Sequence, residues 1–337
     1  MKDIAGCIAG KSYNLHVMGV RGKGIIKGLE EYIRACRKVD GGVRPNPDPG
    51  YGGYSDTSFS DIAAPVYALI LEETLGFRSL DRKKTAMFLA KRRGTDGLYR
   101  SRPGGKPQLI LYETLQALLG LRIIGGSLPA GIADRSARAV AQLFRKHGIG
   151  DFPFYALDFY AQFYSILGRC VPPPIARAVW ERYSSSLKDG EVGGHVASTF
   201  HFVHFARLMG RRVPDAGKIA EKALAIQKRD GSFNRMPDPD WDVHATFDGA
   251  FVVRQLAFGK ARKKALGGAA RYALSCRNPD GGFGHFPGRK SDLDACYFHA
   301  GTLVMAGVLP VSKVPTGLAR VLGWGHLFPL STRSSLR

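Results

Sequence analysis

The feature that most constrains this chain is a recurring turn. Stretches with helical patterning end in Asp-Gly at Asp40-Gly41, Asp96-Gly97, Asp189-Gly190, Asp230-Gly231 and Asp280-Gly281, with a weaker copy at Gly150-Asp151. Successive copies lie about 40–55 residues apart, room for two helices and their loops. Two copies are close in wording: Gln227-Lys-Arg-Asp-Gly-Ser-Phe233 and Cys276-Arg-Asn-Pro-Asp-Gly-Gly-Phe283. The helices on either side of each turn differ in kind. Before it they are amphipathic: Ile175, Ala178, Val179, Tyr183 and Leu187 share one stripe while Arg177, Glu181 and Arg182 lie off it, and Ile219, Ala223 and Ile226 repeat the pattern. After it, beyond a Gly/Pro-rich loop, come helices apolar nearly all round, over Ile62–Leu75, Leu109–Ile124, Phe200–Met209, Ala245–Phe258 and Ala295–Val308.

A helix apolar on every side has to be enclosed by protein, and an open stack would leave such helices bare at both ends. The pattern therefore predicts an all-α fold, an (α/α)6 toroid or barrel of six helical-hairpin repeats around a central apolar cavity. Residues 24–310 form the toroid, 1–23 an N-terminal extension, and 311–337 a C-terminal strap with a basic tail.

Charge and cysteine content narrow the setting. The net charge is +21, but the basic residues are scattered, clustering only briefly at Arg82–Lys84, Lys91–Arg93 and Lys260–Lys264. Scattered charge reads as solvated helix faces, with attraction to anionic lipids or diphosphates as the functional variant and no specific nucleic-acid partner. No apolar run reaches the ~20 residues of a membrane span, and Met1-Lys2-Asp3 does not open a secretory leader. Five cysteines with no CxxC pair fit reduced thiols and a cytoplasmic protein.

In such a ring the first residues of the inner helices converge on one mouth, so polar residues there are the candidates for chemistry. One group is Gly193-Gly194-His195, at the rim where a helix N-terminus assists an anionic ligand; His201 and His204 follow at a spacing that suits either a metal or a hydrogen-bonded core. A second is Asn234-Arg235-Met-Pro-Asp238-Pro-Asp240-Trp241-Asp242-Val-His244, the densest titratable cluster in the chain. One carboxylate suffices to cap a helix; three and a histidine point as well to metal binding or acid–base work. The third is Arg289-Lys290-Ser-Asp292-Leu-Asp294-Ala-Cys296-Tyr297, where Asp and Cys two apart suit zinc, although a lone Cys on an apolar helix is ordinarily core.

With its Asp-Gly-Gly-Phe and Gln-x-x-Asp-Gly turns and its repeat length, the chain resembles the β subunit of protein prenyltransferases and, more broadly, the terpenoid cyclase/prenyltransferase α/α toroids, over about 24–310. The resemblance implies an isoprenyl diphosphate or other long apolar ligand in the cavity, a basic rim for the diphosphate, zinc or another divalent metal, transfer of the prenyl group to a nucleophile, and a helical α subunit as partner. Carried over by position, it implies Asp242, His244 and Asp294 as catalytic metal ligands with Cys296 as a neighbouring one. It also implies His195 and Arg235, with Arg289 and Lys290, as diphosphate-binding residues. Pro239 stands at the family's Lys position and Ala245 at its Tyr. Class II terpene cyclases share the toroid and protonate an alkene through Asp-x-Asp-Asp; the nearest stretch here, Asp238-Pro-Asp-Trp-Asp242, lacks the adjacent pair, and the chain is too short for two toroids. The alternatives are a noncatalytic isoprenoid-binding or scaffold toroid and a carbohydrate-active (α/α)6 enzyme using paired carboxylates such as Asp240 and Asp294.

Overall fold

The computed structural model of the protein describes residues 13–53, 55–233 and 242–311; of 13–21 and 242 the backbone alone is described. The chain runs through α1 (Tyr13–Ala35), the short α2 (Asp56–Phe59) and α3 (Ala63–Leu75), then α4 (Arg82–Ala90) and α5 (Pro107–Gly125). It continues with α6 (Ala130–His147), the short α7 (Phe154–Leu157), α8 (Phe159–Ile166) and α9 (Pro173–Ser185). A two-stranded hairpin, β1 (Leu187–Lys188) and β2 (Glu191–Val192), leads into α10 (Val196–Leu208), followed by α11 (Ala216–Ala225), α12 (Asp242–Leu256), α13 (Gly259–Ser275) and α14 (Leu293–Met305).

Six of these helices form an inner ring. α3 packs on α5, α5 on α8, α8 on α10, α10 on α12, α12 on α14, and α14 returns to α3, so the ring closes. The outer layer is α1, α4, α6, α9, α11 and α13. The expected all-α toroid of six hairpins is what the structure shows. α1 starts at Tyr13, inside the stretch expected to be an extension, and all but Val311 of the expected strap lies outside the described residues.

Burial follows the two helix types. In α6 the buried residues are Ala133, Ser136, Ala139, Val140 and Leu143, one stripe at helical spacing, and the remaining faces meet solvent. In α3 every residue but Glu73 is buried. Enclosing each large apolar side chain of the inner ring contributes roughly 1.5–3 kcal/mol, which is why the inner helices need no amphipathic face.

The Asp-Gly turns are the joints of the ring. Their glycines all have positive φ, and each turn abuts the next outer helix. A Cβ on Gly231 would lie 2.1 Å from the carbonyl oxygen of Gly268 in α13, and one on Gly281 would lie 2.4 Å from that of Gly28 in α1. The second contact joins the last repeat to the first. The aspartate shapes four of the five tips: Asp40, Asp96, Asp230 and Asp280 accept the backbone N–H two residues on. At the weak copy a Cβ on Gly150 would meet nothing within 4 Å, and there the inner helix α8 is the shortest of the six.

A second contact repeats through the ring. The backbone N–H two residues after the turn glycine donates to a side chain of the following inner helix: Tyr99 to Thr114, Val192 to Thr199, Phe233 to Thr246 and Phe283 to the Cys296 sulfur. Aligned on this contact, successive inner helices share register. Tyr112, Ala197, His244 and Asp294 then occupy one slot, each two residues before the acceptor.

Candidate active site

Two of the three titratable members of the shared slot meet. His244 Nε2 lies 2.7 Å from Asp294 Oδ2. Burial opposes the imidazolium, but the Asp294 carboxylate outweighs it with help from Asp56 and Asp248, and the His244 pKa rises to about 9. At neutral pH His244 is therefore cationic and donates to Asp294. The other carboxylate oxygen of Asp294, Oδ1, is buried and has no hydrogen-bond partner among the described residues.

A second carboxyl comes from α2. Asp56 Oδ2 accepts hydrogen bonds from Tyr67 at 3.0 Å and Tyr112 at 3.2 Å, and the two phenol oxygens lie 2.9 Å apart. Burial and then the negative charge of Asp294 push the Asp56 pKa up, against His244 and the two phenols. The surroundings of Asp56 thus shift it toward the protonated form. Asp248, one turn beyond His244 on α12, is raised by burial to about 8.

Asp292 caps α14, accepting the Asp294 N–H at 2.8 Å. It also accepts the hydroxyls of Ser55 at 3.3 Å and Thr57 at 3.1 Å, which ties the start of α2 to the last repeat. His285 Nε2 stands 3.8 Å from both Asp292 Oδ1 and Asp294 Oδ2. Burial lowers the His285 pKa, but Asp292 and Asp294 raise it overall. Among the described residues His285, Asp292 and Asp294 bring one ligand atom each within 4.8 Å of one another, spacing that a metal ion would suit. Their bonding does not fit one: three donors occupy Asp292 Oδ1, His244 occupies Asp294 Oδ2, and Asp292 and Asp294 push the His285 pKa up.

These groups lie among aromatic side chains of the inner helices. Asp56 and His244 sit between inner helices yet keep part of their surface accessible, 21% for the His244 side chain. Across the ring Tyr155 responds to the charge of Asp56, and His201 to that of His244. The walls are aromatic: Tyr297 stacks on Tyr67 at 4.1 Å, Phe298 lies 4.2 Å from the His244 ring, and Phe247 contacts Phe200 and Phe298. No lysine or arginine pairs with Asp56, Asp248, Asp292 or Asp294 among the described residues.

Residues 181–325 match the family described as the prenyltransferase alpha-alpha toroid domain. The fold is the α/α toroid of the terpenoid cyclases and prenyltransferases. Among solved structures, an Asp-to-Asn variant of the type II terpene cyclase MstE from Scytonema, holding geranylgeranyl dihydroxybenzoate as substrate, superposes with a TM-score of 0.57. It is 12% identical, over 87% of this chain and 98% of that one. An Asp-to-Ala variant holding the product merosterolic acid A gives 0.58 at 13% identity, over 88% of this chain and 100% of that one. The apo enzyme gives 0.55 at 16%, over 80% and 81%. No curated protein matches the chain. No helix among the described residues is long and apolar enough to cross a membrane.

Within this toroid the residues expected to act together are only partly assembled. His244 and Asp294 meet. Asp242 starts α12 in the register position that Asp292 holds in the last repeat, but its side chain, with Arg235, Asp238 and Asp240, lies outside the described residues. Cys296 is not beside the cluster as a ligand: its sulfur accepts the Phe283 N–H at 3.3 Å, doing what threonine does in three other repeats, and burial pushes its thiol pKa well up. His195 caps α10, its Nδ1 accepting the Ala197 N–H at 3.1 Å. Arg289 and Lys290 are exposed on the turn before α14, Arg289 over the Phe286 ring and Lys290 3.7 Å from Asp48, so neither joins the buried cluster. His201 and His204 are core histidines on Asp158.

Asp56, Asp248, His285, Tyr67 and Tyr112 escape a reading of the sequence. Asp56 precedes α3 as Asp242 and Asp292 introduce α12 and α14, a positional signal present in the repeat. Asp292-Leu-Asp294-Ala295 brings two carboxylates into the ring, with Ala295 where Asp-x-Asp-Asp ends in an acid.

Proposed function

We propose that this toroid binds a long apolar isoprenoid in its hollow and cyclises it by proton-initiated chemistry. The observation that carries this reading is the crowding of Asp56, Asp292 and Asp294 around His244 and His285 among aromatic rings, with the Asp56 pKa pushed up by burial and by Asp294. Asp56 delivers its proton to an alkene carbon. The π pair of that alkene forms the new C–H bond, leaving a tertiary cation, which the next alkene attacks to close a ring. Loss of a proton from carbon ends the sequence, so the net reaction is an isomerisation, and Asp56 regains a proton from solvent. The His244–Asp294 pair positions the acid electrostatically. The aromatic faces stabilise cations along the way, each such contact contributing about 1–2 kcal/mol when desolvated.

Prenyl transfer from an isoprenyl diphosphate is the second reading, and the description of the matched domain favours it. The chamber weighs against it. A diphosphate would bring further negative charge among Asp56, Asp292 and Asp294, with the exposed Arg289 and Lys290 directed elsewhere. The cyclase reading also requires neither a divalent metal nor an α subunit.

Incubation with polyprenyl substrates in D2O separates the readings. Cyclisation places one non-exchangeable deuterium in each product molecule, and Asp56→Asn abolishes it. Release of diphosphate with no cyclic product overturns the cyclase reading in favour of transfer. Tight binding with no turnover of any kind leaves a carrier or scaffold.

A further inference from the structure

The first two repeats enclose a cleft of about 490 Å³ that the proton chemistry does not use. Its volume is that of a small-molecule site, and no residue of an inner helix lines it. Three segments form it: the loop after the first Asp-Gly turn, over residues 43–53, the end of α2, and Ser101-Arg102 in the loop of the second repeat.

Both sides of the cleft are fixed in place. On one, the Tyr32 hydroxyl and the Leu293 N–H donate to the Pro45 carbonyl at 3.1 and 2.8 Å, and the buried Asn46 donates to the Ser291 carbonyl at 2.6 Å. On the other, the Ser60 and Ser101 hydroxyls lie 3.1 Å apart, and Asp61 accepts from Arg92 through both carboxylate oxygens.

The charges lining the cleft do not cancel. Its two carboxylates have cations from outside it, Asp48 with Lys290 at 3.7 Å and Asp61 with Arg92. Lys38 stands 3.8 Å from Asp40. The guanidinium groups of Arg44 and Arg102 form no ion pair or hydrogen bond among the described residues, so two arginine charges remain. Between them the lining is apolar, with Val43, Pro49 and Phe59, the last 54% exposed. A cleft that joins uncompensated guanidinium forks to an exposed aromatic ring suits an oxyanion carried on an apolar body.

We propose that this cleft binds a small organic anion, a carboxylate or phosphate monoester on an aromatic or aliphatic body. Arg44 and Arg102 hold the oxyanion, and Phe59 and Tyr51 cover the body. An inorganic ion would leave most of the volume unfilled. The site is separate from the chamber assigned to the isoprenoid and does not depend on that reading.

The test titrates the full-length protein with 1-naphthyl phosphate and 1-naphthoate, beside the uncharged 1-naphthol. Both anions are expected to bind at least about tenfold tighter than naphthol, and the tighter of the two identifies the oxyanion. Arg44→Gln and Arg102→Gln should each weaken anion binding by on the order of tenfold with the Tm unchanged, because neither side chain has a partner to lose. Lys263→Gln with Lys264→Gln, which removes two charges elsewhere, should leave it intact, as should excess geranylgeraniol. Equal affinity for naphthol and both anions overturns the site. So does a loss in the lysine variant matching that in the arginine variants, which would be general attraction to a chain of net charge +21. Displacement by geranylgeraniol overturns it too, by placing the probe in the chamber. None of these results bears on the isoprenoid reading, which the deuterium experiment decides.

Discussion

Among the described residues the ring holds two Asp–His clusters, and their difference teaches how one pair of residue types can be set in opposite electrostatic balance. On the α8–α10 side a single carboxylate, Asp158, serves two histidines and an amide: His204 Nδ1 lies 2.6 Å from Oδ2, His201 Nδ1 3.4 Å, and Gln162 donates at 2.8 Å. Burial alone would raise the Asp158 pKa, but His204 and His201 reverse that and bring it to about 2. On the α12–α14 side the ratio is inverted. Asp56, Asp292 and Asp294 crowd His244 and His285, and the Asp56 pKa is pushed up. The first cluster holds its carboxylate ionised; in the second, on the reading proposed above, Asp56 holds the proton to give.

The largest expected effect comes from removing that proton. Asp56→Asn should lower turnover by roughly 10²–10⁴-fold, the usual worth of a positioned acid, while leaving the Tm unchanged or higher because a crowded buried carboxyl is gone. Asp158→Ala should do the reverse to the fold, costing about 3–5 kcal/mol by stranding its histidines. Urea unfolding of both variants beside product assays decides the matter. An inactive but stable Asp158→Ala protein, or an active Asp56→Asn protein, would exchange the roles of the two clusters.

The same contrast has a pH signature. The folded pKa of His244, about 9, lies above its ordinary 6.5, so the stabilisation from its pair with Asp294 is whole below about pH 6.5 and is lost as pH rises through about 9. The folded pKa of Asp158, about 2, lies below its ordinary 3.8, so that stabilisation is present above about pH 3.8 and lost as pH falls through 2. Denaturant midpoints measured from pH 3 to pH 10 should therefore fall at the alkaline end, and His244→Gln should flatten that limb alone. An alkaline limb unchanged in His244→Gln would place the titrating group elsewhere.

The repeat frame was legible because its cause is local. A positive-φ glycine pressed against the next helix cannot be replaced, so Asp-Gly recurs wherever a hairpin abuts its neighbour. Gly281→Ala should accordingly destabilise the fold by several times the ~1 kcal/mol of an ordinary backbone strain, and Gly150→Ala should be nearly silent. Thermal unfolding of the two variants tests whether the strong and weak copies differ as their packing says. The site was less legible. His244 and Asp294 share a register position, so aligning the repeats finds them together. Asp56 enters from a four-residue helix in the first repeat, and no periodicity announces that its carboxyl meets the last one. Arg289 and Lys290 read as rim cations because sequence spacing places them near Asp294. The turn that carries them points outward, which spacing alone does not encode.

Cys296 yields the smallest and most specific prediction. Read as a metal ligand it would be intolerant of change, since replacing a thiolate by a hydroxyl loosens a soft site. Read through the repeat it is the last repeat's version of Thr114, Thr199 and Thr246, whose hydroxyls accept the same backbone N–H. Cys296→Thr should then keep that bond, shift stability by less than about 1 kcal/mol, and leave both turnover and bound metal unchanged. Cys296→Val, similar in volume but lacking an acceptor, should cost about 1–3 kcal/mol by orphaning the Phe283 N–H. A threonine variant that loses activity or metal while the valine variant folds normally would return the sulfur to the chemistry. The reverse order ties it to the joint between turn and inner helix that three other repeats of this ring make through threonine.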